Sequence, residues 1–187
     1  MNRPGPGFAV EGSAPARFTA AEFLRMADLG AFEDMKVELD HGELVRMNPP
    51  HTAHGIGQAR ITFALAEALR GTAVTVTGEV TIVLDADTVR AFDAALVAPG
   101  ALKEEVLRPE HVLLGVEVAD TSLAQDLGRK QRDYARAGIP IYWVADVNAR
   151  VVHVMSNPVR GEYGRREVLR FGEPLELPDG LGTIVLD

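Results

Sequence analysis

The sequence contains no cysteine. A disulfide framework and a thiolate zinc site are therefore excluded, and the reducing cytoplasm is the expected setting. Long apolar runs are missing too, so no membrane span is expected. Positive charge is scarce: Lys and Arg total 19 against 27 Asp and Glu, a formal charge of -8. The field of the whole molecule repels nucleic acid, which argues against a protein that simply coats DNA. The opening MNRPGPGFAVEGSAPAR lacks the apolar segment of a secretory signal. Residues 1–17 are read as a flexible tail and residues 18–187 as the folded part.

What is present is an ordinary globular composition, 47% hydrophobic and 25% charged over 187 residues, enough for one core and one domain. Thr19 and Glu22 have capping-box spacing and Phe18 and Phe23 that of a hydrophobic staple, which predicts a short helix through about Leu29. KVELDHGELVRM alternates on both sides of Asp40-His41-Gly42 and predicts a hairpin with Glu38 in its first strand. Ile61, Leu65, Ala68 and Leu69 recur at helical spacing before Gly71, predicting a helix from about His54 to Arg70. AVTVTGEVTIVL has period two and predicts a long strand bent at Gly78. Two short apolar strands follow, AFDAALV and VLLGVEVA. Ser122 and Gln125 suggest a second capping box, opening a helix that stops at Gly138 and Pro140. IYWVADVNARVVHVM reads as a hairpin turning near Asn148, and the segment from Asn157 as edge strands or loops. The order predicts an α/β or α+β domain around a mixed sheet flanked by helices.

Each of the two apolar strands carries one acid in its interior, Asp93 and Glu117. An ionised carboxylate in such surroundings costs several kcal/mol unless a cation compensates it. Two such acids on neighbouring strands supply the oxygen ligands that Mg²⁺ prefers. The alternative, that each caps a strand end or pairs with an arginine, stands beside this reading. In the following helix Asp126 and Lys130 are four apart and share a face, with Tyr134 continuing the row. Taken alone, that pair also reads as a surface salt bridge. Tyr142 and Trp143 read as core, Arg165 and Arg166 as a solvated loop, and His41, His51, His111 and His153 show no ligand spacing.

The stretch VEVADTSLAQDLGRKQRDYARAGIPIYWVADVNARVVHV, with VELDHGELVRMNPPHTAH upstream and GEYGRREVLRFGEPLELPDG downstream, resembles the Uma-two family of restriction-endonuclease-like proteins of the PD-(D/E)XK superfamily. The resemblance covers nearly the whole chain after Phe18. It implies a restriction-endonuclease-like fold. Asp93 and Glu117 would be the motif acids that ligate Mg²⁺ or Mn²⁺, with the Val118 carbonyl a further metal ligand. Glu38 would be an additional acid, and Lys130 the residue that orients or deprotonates the attacking water and steadies the phosphate. Where the superfamily motif has proline before its aspartate this sequence has Phe92, and the usual lysine position is Ala119. His54 matches a family histidine and would contact phosphate or the metal's water shell, with Asp126 a second candidate for substrate binding; a partly exposed loop histidine is the competing reading.

The expected function is a metal-dependent DNA endonuclease. The alternative is a non-catalytic module that keeps the fold to bind protein or nucleic acid, which the acidic charge favours; RNA or nucleotide hydrolysis is a third reading. A homodimer or higher homo-oligomer is expected of an enzyme that cuts two strands, with the second hairpin as its contact.

Overall fold

A computed structural model describes residues 14–104 and 106–187 of the chain. The expected flexible tail lies outside these residues as far as residue 13. The first helix, α1 (Ala20–Asp28), begins as its sequence dictates. Thr19 Oγ1 accepts from the Glu22 amide at 3.2 Å, and Glu22 Oε2 accepts from the Thr19 amide at 2.8 Å. Phe18 packs on the same small cluster as the buried Phe23. Strands β1 (Val37–Asp40) and β2 (Glu43–Arg46) form the expected hairpin. His41 and Gly42 both have positive φ, 49° and 82°, as a two-residue turn matching the strand twist requires.

Helix α2 (Thr52–Ala68) starts two residues ahead of the His54 expected from periodicity and stops before Gly71. Ile61, Leu65 and Leu69 are buried, whereas Ala68 is exposed. Four strands then make one long bent hairpin: β3 (Thr75–Thr77) pairs with β6 (Ala94–Val97), and β4 (Val80–Val83) with β5 (Val89–Phe92). The bend falls at Gly78 on one arm and at Asp93 on the other, so the hairpin passes from one sheet into the next. The smaller sheet has the order β2-β1-β5-β4.

Strand β7 (Val112–Ala119) runs parallel to β8 (Ile141–Asp146). The crossover that parallel pairing demands is a continuous helical segment: α3 (Leu123–Gln125), a π-helical turn (Asp126–Lys130) and α4 (Gln131–Ala137), closed by Gly138 at φ 84°. The expected capping box at Ser122 and Gln125 does not form. Ser122 Oγ instead donates to Asp126 Oδ2 at 2.5 Å, a charge-assisted bond that outcompetes a neutral cap. Strand β9 (Val151–Val159) completes the second hairpin with β8. The segment expected as edge strands or loops contains β10 (Glu162–Arg170), a nine-residue edge strand, and the short pair β11 (Leu175–Glu176) and β12 (Thr183–Ile184). The larger sheet has the order β10-β9-β8-β7-β6-β3.

Alternation along β7 sends successive side chains to opposite faces. Leu114, Val116 and Val118 meet Ile61 and Leu65 of α2 together with Trp143. Ala119 on the other face joins Phe92, Tyr134 and Tyr142 under α4. Gly115 lies on that second face, and a Cβ there would come 2.3 Å from the Phe92 ring. Tyr142 and Trp143 are core residues, at 0% and 1% exposure. No helix among the described residues is long and apolar enough to cross a membrane.

Candidate active site

Glu117 shares its β7 face with Gly115 and Ala119, so it points at the crossover helix rather than at solvent. The π turn widens the helix there, and both Asp126 and Lys130 are buried, at 1% and 4% exposure. Lys130 Nζ donates to Glu117 Oε1 at 3.0 Å and lies 3.3 Å from Glu38 Oε1 and 4.0 Å from Asp126 Oδ1. Tyr134 Oη donates to the same Glu117 Oε1 at 2.7 Å. Glu38 comes from β1 in the other sheet.

Asp93 sits at the bend between β5 and β6, the seam of the two sheets. Its Oδ2 accepts from the Val118 amide at 2.7 Å, while Oδ1 faces His54 Nε2 at 3.3 Å. The other nitrogen of that ring, Nδ1, is 2.8 Å from the Val118 carbonyl. One turn further along α2, Gln58 donates to the Asp93 carbonyl at 2.8 Å. The strand break, the first turns of α2 and the end of β7 are thus tied together around one carboxylate.

Burial pushes the Glu117 carboxyl well above the usual carboxylate range, with Lys130 pulling it back and Asp93 pushing further. Burial raises Asp126 as well. In Asp93 burial acts the same way, but His54 and the Val118 amide outweigh it and hold the group below its ordinary value. The bond to Asp93 raises His54, against the opposing effect of burial. Burial would discharge Lys130, yet Glu117, Glu38 and Asp126 together hold it firmly protonated. Lys130 is a fixed cation among acids.

Next to this cluster lies a second one that no local spacing pattern in the sequence announces. Arg90 of β5 is fully buried, donating to Glu38 Oε2 at 3.1 Å, to Asp40 Oδ1 at 2.8 Å and to Asp133 Oδ2 at 2.7 Å. The available signal was an arginine inside the otherwise apolar VRAF. His41, set aside for want of ligand spacing, faces Asp133 at 3.3 Å and forms with Asp40 and Asp133 a group close enough to share an ion. Arg90 and Arg129 already neutralise those carboxylates, so this group is the weaker metal candidate.

The expected residues fall into two neighbouring groups, Lys130 with Glu117, Glu38 and Asp126 and Asp93 with His54 and the Val118 backbone, which the adjacent positions 117 and 118 of β7 bring side by side. His51 pairs with Asp120 at 3.3 Å, and Arg165 and Arg166, expected in a loop, lie in strand β10, where Arg165 pairs with Glu167. Asp93, Glu117 and the Val118 carbonyl present only hard oxygen donors, the set that suits Mg²⁺ or Mn²⁺ rather than a soft metal. The surplus of acids over Lys130 is charge that a divalent cation would relieve.

A family model described as "Uma2: Putative restriction endonuclease" matches residues 20–187. Among solved structures, the chain is similar to a putative nuclease belonging to DUF820 from Anabaena variabilis ATCC 29413. The TM-score is 0.71 at 15% identity, covering 88% of this chain and 91% of that one. At that identity the likeness is one of fold. Among curated proteins none matches.

Proposed function

The chain belongs to the Uma2 family, and on that premise we propose that it is a metal-dependent endonuclease that hydrolyses DNA phosphodiester bonds in the cytoplasm. The observation that carries the reading is the burial of Asp93, Glu117 and Lys130 at one sheet seam, with Lys130 Nζ 3.0 Å from Glu117. A purely structural core gains little from acids that cost so much to bury.

Asp93, Glu117 and the Val118 carbonyl would hold Mg²⁺ or Mn²⁺, which supplies Lewis acidity at the phosphate and at the attacking water. The remaining roles belong to the chain itself. Lys130 orients the water and places a fixed positive charge where the phosphate gains negative charge. Glu38 and Tyr134 are positioning residues, the first holding the Lys130 ammonium and the second the Glu117 carboxylate. His54 would contact the phosphate or the metal's water shell, and Asp126, 4.0 Å from Lys130 Nζ, is the second substrate-binding candidate. Water oxygen bonds to phosphorus as the 3′ oxygen departs with a proton, leaving a 5′-phosphate and a 3′-hydroxyl.

One observation favours a second reading, a non-catalytic binding module. The His54 ring already engages both the Asp93 carboxylate and the Val118 carbonyl, two of the groups a metal would take. The deciding experiment combines calorimetric titration with Mn²⁺ and cleavage of supercoiled plasmid by the parent and by Glu117→Gln. The expected result is metal binding and cutting by the parent, both lost in the variant. A parent that neither binds Mn²⁺ at millimolar concentration nor cuts would leave the binding module.

A further inference from the structure

Arg129, Arg132 and Arg136 follow one another at intervals of three and four residues, so they form a row along one face of the crossover helix. All are exposed. With Asp133 of the same helix they line a polar cavity of about 390 Å³, to which the first hairpin and the residues before α1 add Arg17, Asp40, His41 and Glu43. Each acid in the cavity already has a cation. Glu43 is paired with Arg17 at 2.9 Å, Asp40 with Arg90 and Arg129, and Asp133 with Arg90 at 2.7 Å. Arg132 and Arg136 form no salt bridge among the described residues, although acids lie in the same cavity. The stem of Arg136 lies against the β9–β10 turn, where a Cβ on Gly161 would come 2.8 Å from its Cγ, so the side chain is directed and not free to sweep.

From these contacts we propose that this groove is an anchoring subsite for the backbone phosphates of the DNA, beside the phosphate that is cut. The inference rests on the nuclease reading and names where the strand is held. From Arg132 to Arg136 the unpaired guanidinium stems span about 6 Å of helix, comparable to about two nucleotides' rise of one strand. Planar guanidinium groups match phosphate oxygens in pairs, which makes arginine the fitting residue. The groove also adjoins the acid site. Glu38, which touches Lys130, and Asp40, which lines the groove, are two residues apart on β1, about 7 Å, and both bond Arg90. A molecule whose net charge is -8 needs such a local cationic surface to approach DNA at all.

The test is fluorescence anisotropy of a short labelled DNA duplex, titrated at several salt concentrations in EDTA, so that metal binding and cleavage do not enter. The parent is compared with the double variant Arg132→Gln/Arg136→Gln, whose changes are exposed; thermal unfolding confirms that it folds. Loss of two phosphate contacts should lower the slope of log K against log salt by about two and weaken binding at least tenfold near about 0.1 M salt. Unchanged affinity and slope in the variant would overturn the subsite while leaving the cleavage reading standing. A parent that does not bind the duplex at low salt would count against both. Displacement of the duplex by poly-glutamate as effective as by unlabelled DNA would overturn it in favour of an acidic protein partner.

Discussion

Lys130→Met separates the two parts that Lys130 plays. The side chain is 4% exposed and shared by Glu117 at 3.0 Å, Glu38 at 3.3 Å and Asp126 at 4.0 Å. Methionine keeps the stem and removes the charge, which leaves three acids facing one another. Breaking a buried pair costs about 3–5 kcal/mol, and in a chain of this length each kcal/mol moves the thermal midpoint by about 2–4 °C. A fall of roughly 10 °C is expected for the metal-free variant, read by circular dichroism. Added Mn²⁺ should then restore more of the midpoint in the variant than it adds to the parent, because the surplus negative charge has grown by one. Plasmid cutting should nonetheless be lost, since cation and lysine are not exchangeable in the reaction. A variant with the parent's midpoint, or one that Mn²⁺ stabilises less than the parent, would refute the reasoning that Lys130 balances the acids.

Arg90→Met removes the donor shared by Glu38, Asp40 and Asp133 and should destabilise by about 3–5 kcal/mol; adding Asp133→Asn should recover part of the loss, and strict additivity in denaturant unfolding would contradict the network. Glu117→Gln, which is expected to abolish metal binding, should stabilise the metal-free protein at neutral pH. The sign follows from burial raising this carboxyl. The folded state keeps its proton where the unfolded state has lost it, so the parent's stability from this group is full below about 4.5 and falls as pH rises through the folded value. The advantage of the Gln variant should therefore be small near about pH 4 and larger near about pH 7; the reverse order of midpoints would show that Glu117 is a net stabiliser.

Much of this arrangement is legible in the sequence. Local rules sufficed where the physics is local: the Thr19 capping box, the Asp40-His41-Gly42 turn, the bend at Gly78 and the row Asp126, Lys130, Tyr134 each depend on residues a few positions apart. Burial cost alone singled out Asp93 and Glu117, because an acid inside an apolar strand needs an explanation wherever it folds. The predicted capping box at Ser122 failed because Asp126, drawn inward by the π turn, offered that hydroxyl a stronger acceptor.

The rest required the tertiary structure, since it depends on groups that are distant in sequence. Period two determined which side chains share a strand face, but only the seam between the sheets placed Glu38 within 3.3 Å of Lys130. Arg90 could not be recognised as the partner of three acids, because nothing within VRAF names a carboxylate 43 to 52 residues away. The groove of Arg129, Arg132 and Arg136 has its spacing written in the sequence, yet its meaning comes from which acids are already paired. Charge and apolar pattern determined that acids would be buried and that cations must meet them; packing of the two sheets decided which cations these are, because Coulomb energy depends on distance in space and not along the chain.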